Sequence, residues 1–446
     1  MLISFAVENY RSIRNRVELS LEAINYYKEQ PEQLLAPQLP GLAGAKFLRA
    51  AVVFGPNASG KSTLLEALNI MCNMVRKSAK LELTKALPYH PYALAASSVE
   101  EPTTFHVELV CAGIRFEYGF SYTKNIVVHE KLSAFPNGRE QVWFTREAGA
   151  QSGGEEPAAP RVKGSKYVSI PASLRPLLNA NMLLLSLLAN YPGIAAARAV
   201  RPVFEWFTSA VAFVSRAPAA MADDFPYSGD IIDGVRGTDF QRAFIQEMLR
   251  KADVGILAAR AEHRPFPSDD ERLAELYRVL GEESVPKELK TIVFDHEGER
   301  GSAHFDISEE SGGTYQLFVL SGRVAQALEG GGVLFVDELD ASLHPVLACE
   351  VVRCFLSPES NPNGAQLVFT AHNPCLLEDG LLRRDQIWFT EKVDGATKLY
   401  PLSDFKPYKG ESRVRGYLKG RYSATPVVPA CFGMCNGFWS EDACGA

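Results

Sequence analysis

Apolar and polar positions divide the chain into three stretches. Residues 2–7 and 17–23 alternate, as in VELSLEA, and predict strands with one buried face. The run LRAAVVFG (48–55) is continuously apolar and ends in glycine, the pattern of a parallel strand buried on both faces. LLEALNIMCNMV (64–75) is apolar on nearly every side and predicts a largely buried helix. TTFHVELVCAGIRFEYGFSY (103–122) gives two alternating runs about an Ala-Gly pair, an antiparallel hairpin.

Around residues 148–165 the composition turns to Gly, Pro, Ser and charge, as in a loop or linker. NANMLLLSLLANY (179–191) and FQRAFIQEMLRKADVGI (240–256) then predict helices. Prolines recur through this region, among them Pro171, Pro192, Pro202, Pro226 and Pro286, and no heptads are sustained. A long coiled coil is excluded, and a compact, mostly helical insertion is expected. From about residue 290 strand patterns return in KTIVFDH, AHFDI, VLFVDELD (333–340), AQLVFTAHN (365–373) and ATKLYPL (396–402). Strands and helices alternating on both sides of a helical middle predict an α/β fold. Its mainly parallel sheet carries an antiparallel β subdomain and the helical insertion.

The chemistry begins at GPNASGKST (55–63), between a buried strand and a helix. Gly55, four residues, then Gly60, Lys61 and Ser62 form the P-loop pattern in the context it requires. The glycines let successive backbone N–H groups face inward, and the helix N-terminus adds its positive dipole end. Lys61 is expected to reach the β- and γ-phosphates, and Ser62 to ligate Mg²⁺. VLFVDELD supplies acids at the end of a second buried strand. Asp337 is the expected Mg²⁺ partner, and Glu338 the general base that polarises the attacking water. The adjacent acid favours ATP hydrolysis over binding alone. His372 follows a third buried strand, where its imidazole is placed to meet the γ-phosphate or hold the water; alone, it would be an ordinary loop or core histidine. Ser311-Gly312-Gly313 reads by itself as a turn before a helix.

The ordered set GPNASGKST, SGGT, VLFVDELDASLHP and LVFTAHNP resembles an ABC-type ATPase of the SMC/RecF/OLD-like group. FAVENYRSI resembles the opening strand-turn of those proteins. VRGYLKGRYSATP (414–426) resembles the ending of prokaryotic stand-alone AAA-family ATPases, which include RloA-like proteins and the ATPase of the PARIS anti-phage system. The likeness implies a Walker A loop of Gly55, Asn57, Ala58, Ser59, Gly60, Lys61, Ser62 and Thr63. It implies a signature at Ser311, Gly312 and Gly313, Walker B acids at Asp337 and Glu338, Asp340 in the following loop, and His372 as the switch histidine. In such proteins the signature closes over the nucleotide of the opposite subunit, which implies a homodimer or higher homo-oligomer with ATP and Mg²⁺ between subunits. No glutamine stands where the family has a metal-sensing one; His90 in PYHPYAL (88–94) lies nearest.

On this reading residues 1–147 and 291–428 are the two halves of an ATPase domain, 148–290 is the linker and insertion, and 429–446 is a tail. The stretch after His372 is too short for the acidic nuclease module of OLD proteins. The resemblance then implies a separate effector, such as a TOPRIM-like nuclease, in anti-phage defence. The alternative is a RecF-like ATPase acting on DNA. A transport ATPase is disfavoured by the inserted region.

Charge and cysteines refine this picture. The formal net charge is −7, against a general charge-driven nucleic-acid binder. Lys406, Lys409, Arg413, Arg415, Lys419 and Arg421 form a local basic run, either a solvated helix face or a contact for nucleic acid or an acidic partner. No apolar run reaches the roughly 20 residues a membrane helix needs, and no signal peptide is read. The expected location is cytoplasmic, with reduced thiols. Cys431, Cys435 and Cys444 cluster near the end without a metal-finger spacing, and a divergent tail is the simpler reading.

Overall fold

A computed structural model describes residues 1–149, 159–215, 226–252, 255–265, 288–299, 301–405 and 412–425. Lys406, Lys409 and the tail with Cys431, Cys435 and Cys444 lie outside the described residues. The strands are β1 (Leu2–Glu8), β2 (Val17–Ser20), β3 (Leu34–Leu35), β4 (Phe47–Leu48), β5 (Ala50–Phe54), β6 (Thr103–Cys111), β7 (Ile114–Tyr122), β8 (Val127–Ala134), β9 (Gln141–Glu147), β10 (Arg161–Gly164), β11 (Val211–Val214), β12 (Ile256–Pro265), β13 (Glu288–Gly298), β14 (Gly301–Asp306), β15 (Val333–Val336), β16 (Gln366–Ala371), β17 (Ile387–Val393) and β18 (Ala396–Pro401). The α-helices include α1 (Lys61–Lys77), α2 (Leu184–Ala189), α3 (Ala195–Glu205), α4 (Asp239–Ala252), α5 (Gly312–Gly330), α6 (Pro345–Leu356) and α7 (Arg413–Leu418).

Six strands in the order β11-β15-β16-β5-β17-β18 form the central sheet. All its neighbours run parallel except the β17–β18 hairpin. Both faces are buried, which explains the continuous apolar runs. Side chains alternate between two cores. Ala51, Val53, Phe335 and Val368 join α1 on one face. Ala50, Val52, Phe54, Val336 and Phe369 join α4, α5, α6 and α7 on the other.

A second sheet of seven strands, β10-β9-β8-β7-β6-β1-β2, is antiparallel. It turns Phe105, Val107, Leu109, Phe116, Tyr118 and Phe120 towards the α1 core and keeps half-exposed polar residues on its other face. The helix α1 is therefore packed with both sheets. A three-stranded sheet, β12-β13-β14, and the β3–β4 pair complete the strands among the described residues. This is the expected fold class, a P-loop-type α/β fold with an antiparallel β subdomain. Among the described residues no helix is long and apolar enough to cross a membrane.

Several local expectations change. Residues 179–191 do not form one helix; only Leu184–Ala189 does. The backbone before it is already engaged: Asn179 O and Ala180 O accept from the Arg146 guanidinium, and Ala180 O also accepts from Val127 N. The helix starts where the buried Glu130 carboxylate accepts from Leu184 N (2.6 Å) and Leu185 N (2.9 Å). A carboxylate from a distant strand sets that boundary, which a local pattern cannot show. The helix read over 240–256 ends at Ala252, and β12 begins at Ile256. Within the stretch read as mostly helical, VAFV (211–214) is β11 at the edge of the central sheet, and it pairs with β15.

Candidate functional site

Three parallel strands end at one edge of the central sheet. β5 ends at Phe54 and runs through the Gly55–Gly60 loop into α1. β16 ends at Ala371 and delivers His372, and β15 ends at Val336 and delivers Asp337 and Glu338. β16 lies between the other two, with Ala371 opposite Phe54 and Phe369 opposite Val336. The crevice beyond the carboxyl ends of parallel strands is where open α/β sheets bind ligands.

The loop is held curled from behind. Gly60 has φ +108°, and a Cβ there would lie 2.1 Å from Thr397 Oγ1. A Cβ on Gly55 would lie 2.3 Å from Thr390 Oγ1. Both positions therefore require glycine. The same two threonines, on β17 and β18, clamp the loop. Thr397 Oγ1 donates to Ser59 O at 2.8 Å, and Ser59 Oγ lies 2.6 Å from Thr390 Oγ1. Ser12 closes the back of the loop, with Thr397 N donating to Ser12 O at 2.7 Å.

Lys61 is 6% exposed, and its Nζ donates to Gly55 O (2.8 Å) and Pro56 O (3.1 Å). Burial holds its pKa below the usual lysine value, while Glu338, Asp337 and Asp340 pull it upward. Ser62 Oγ donates to Asp337 Oδ1 at 3.0 Å across the cleft. Thr370 Oγ1 donates to the same oxygen at 2.7 Å. The carboxylate of Glu338 lies 3.8 Å from His372 Nε2. Its backbone is left-handed, with φ +54°. Asp340 turns its Oδ2 to the backbone N–H groups of His372 (2.8 Å) and Asn373, and its buried Oδ1 has no hydrogen-bond partner.

Asn57, Ala58, Ser59, Gly60, Lys61, Ser62, Thr63, Glu338 and His372 line one depression, together with Ser12 and Lys392. Ser311, Gly312 and Gly313 do not line it. Ser311 caps α5, its Oγ accepting from Thr314 N at 3.1 Å. A Cβ on Gly313 would lie 2.9 Å from Ser342 O, so the start of α5 packs on the turn after Asp340. Ser311 and Gly312 are exposed. His90 is exposed and lies outside the depression; its carbonyl accepts from Arg11 N at 2.7 Å. Arg413 leaves the basic run, because it is buried and bound to Leu382 O and Asp379.

Sequence reasoning did not single out Ser12, Lys392 or Thr370. Ser12 stands in the quoted FAVENYRSI and Thr370 in LVFTAHNP, so a polar residue inside an apolar strand was the available signal for Thr370. Lys392 carries none, because only the β17–β18 hairpin brings it to the loop.

The residues fit a magnesium nucleotide. The cleft offers a loop that curls because Gly55 and Gly60 pack without a Cβ against Thr390 and Thr397 behind it, and a helix start with no capping side chain. It also offers two hard oxygen donors, Ser62 and Asp337, already side by side. Fold and site together define a P-loop nucleotide-binding ATPase domain. The family model described as "AAA domain, putative AbiEii toxin, Type IV TA system" matches residues 50–166 and 194–378, and the chain belongs to that family. No curated protein matches the sequence. Among solved structures, the chain is similar to the SMC head domain from Thermotoga maritima, at 12% identity and TM-score 0.39, over 90% of this chain and 98% of that one. It is also similar to the SmcHead bound to the C-winged helix domain of ScpA, at 12% identity and TM-score 0.36, over 90% and 96%. A third is the Smc head domain with an extended coiled coil bound to the C-terminal domain of ScpA derived from Pyrococcus furiosus, at 11% identity and TM-score 0.38, over 90% and 97%.

Proposed function

We propose that this protein binds Mg·ATP between two copies of the chain and hydrolyses it to ADP and phosphate. The observation that carries this reading is the convergence of the P-loop, Glu338 and His372 on one depression that lacks Ser311-Gly312-Gly313. Half of a phosphate-binding site faces the cleft. The other half, an exposed helix start with a serine cap, faces elsewhere on the same chain, where a second copy can use it.

Lys61 leaves the Gly55 and Pro56 carbonyls for the phosphate oxygens, a charge-assisted exchange. Ser62 and Asp337 hold Mg²⁺, which when bound draws negative charge from the phosphate oxygens. Glu338 accepts a proton from water as the water oxygen bonds to the γ-phosphorus. The bond from that phosphorus to the bridging oxygen breaks, and ADP leaves with the electron pair. His372, beside Glu338, holds the water or a γ-phosphate oxygen. The Ser311 hydroxyl and the first N–H groups of α5 from the second copy complete the anion site.

The resemblance of VRGYLKGRYSATP supports a finer reading, an ATPase that governs a separate effector, such as a TOPRIM-like nuclease, in anti-phage defence. The family description, which names a toxin–antitoxin system, is consistent with such a setting. Two measurements test the two levels. Purified chain turns over ATP only with Mg²⁺ present; absence of turnover under dimer-forming conditions removes the enzyme reading. Affinity purification with the native neighbouring gene products brings down a second protein; a chain that always purifies alone removes the effector reading.

A further inference from the structure

We propose that Thr370 is a positioning residue whose hydroxyl fixes the relative placement of Asp337 and Glu338, and so governs how strongly Mg²⁺ promotes nucleotide binding and turnover. The inference rests on reading the cleft as a Mg·ATP site.

Thr370 is fully buried in β16, between the P-loop strand and the acid strand. It shares a strand face with Val368, which packs in the α1 core. A hydroxyl in such surroundings must be hydrogen-bonded, and its one proton and one of its lone pairs are both committed. The proton goes to Asp337 Oδ1 at 2.7 Å. A lone pair accepts from Glu338 N at 2.7 Å. One oxygen atom therefore touches the carboxylate of the first acid and the backbone of the second.

Two details make this more than the filling of a polar gap. Glu338 has φ +54°, a conformation that a residue with a side chain keeps only when its surroundings hold it. The hold is the Thr370 hydroxyl on its N–H, reinforced by Leu339 N donating to Thr370 O at 3.1 Å. The second detail is that Ser62 and Thr370 both donate to Asp337 Oδ1. Ser62 belongs to the helix across the cleft and is itself a proposed metal ligand. Thr370 is the donor that keeps the Asp337 carboxylate in one orientation when Ser62 turns to Mg²⁺. The same turn is tied again to β16 through Asp340 and the N–H of His372. The metal acid, the base and the switch histidine are thus referenced to one strand, and Thr370 is its side-chain contact to the first two.

The test measures binding of a non-hydrolysable ATP analogue by the full chain with and without Mg²⁺, together with kcat. Thr370→Val keeps the shape and removes the hydroxyl; Thr370→Ser restores it. With Val, metal-free affinity stays within about twofold of the wild type. The tightening caused by Mg²⁺ falls about tenfold, and kcat falls about 30-fold, as expected for losing hydrogen bonds to a charged group. Ser returns both to within about threefold of the wild type. A Val chain with the wild-type Mg²⁺ response overturns the proposal, and so does a Ser chain as impaired as Val, since the contact is then packing alone. If melting shows that the Val chain does not fold, Thr370→Cys replaces it: its thiol is a weak donor, so the same Mg²⁺-specific loss is expected and a wild-type response overturns the proposal. A wild-type chain that binds no nucleotide with or without Mg²⁺ removes the Mg·ATP reading first, and this inference with it.

Discussion

Glu338→Gln chains bind Mg·ATP within about threefold of the wild-type affinity and hydrolyse it about 1,000-fold more slowly, the range expected for losing a general base. The substitution keeps the size and one acceptor oxygen, and removes the negative charge and the oxygen that can take a proton. The carboxylate is half-exposed at the cleft and 3.8 Å from His372 Nε2, while its backbone is fixed by Thr370. Because Gln preserves that backbone contact, Asp337 and Ser62 stay in place and binding survives. Light scattering with ATP present then shows dimers that persist, because the bridging nucleotide is not consumed. Wild-type turnover by the Gln chain would place the base elsewhere.

Lys61→Met weakens ATP binding about 100-fold or more, with a melting temperature close to that of the wild type. The lysine stem is buried, and the methionine side chain fills it. In the structure the ammonium is bonded to two carbonyls of its own loop, so few contacts that hold the fold depend on its charge. What is lost is a charge-assisted contact to phosphate, made only with nucleotide bound, and a loss of this size corresponds to about 3 kcal/mol. Calorimetric titration with ATP measures the affinity, and a thermal melt separates the binding defect from unfolding. Equal affinity for both chains would exclude Lys61 as a phosphate ligand.

The parts of the site written contiguously were legible. Gly55, Gly60, Lys61 and Ser62 follow one spacing between a strand and a helix, and the structure keeps that spacing and that context. Asp337 and His372 stand directly after apolar runs that become buried strands, so their arrival at one sheet edge follows from parallel pairing. The Ser311 cap was legible as a helix start, and the structure bears that out; the proposed two-chain site rests on the resemblance and on a cleft that Ser311, Gly312 and Gly313 do not line.

Residues brought together by distant pairing were hidden. Thr390 and Thr397 shape the P-loop from the β17–β18 hairpin, and Ser12 reaches it through Thr397. The run at 179–191 looked helical because helical periodicity is local, whereas its real start is set by Glu130 on β8. The strand at 211–214 was lost in helical surroundings because four apolar residues carry no period of their own.

In the proposed composite site one chain's P-loop works with another chain's Ser311-Gly312-Gly313. Mixing Lys61→Ala and Ser311→Arg chains tests it most directly. Each is inactive alone, because one cannot hold phosphate and the other places a bulky cation where the second copy's nucleotide would sit. Each mixed dimer, verified by two different affinity tags, contains one site with both halves intact. Such dimers are expected to regain ATP hydrolysis. Mixed dimers that form and remain as inactive as either parent would contradict the composite site.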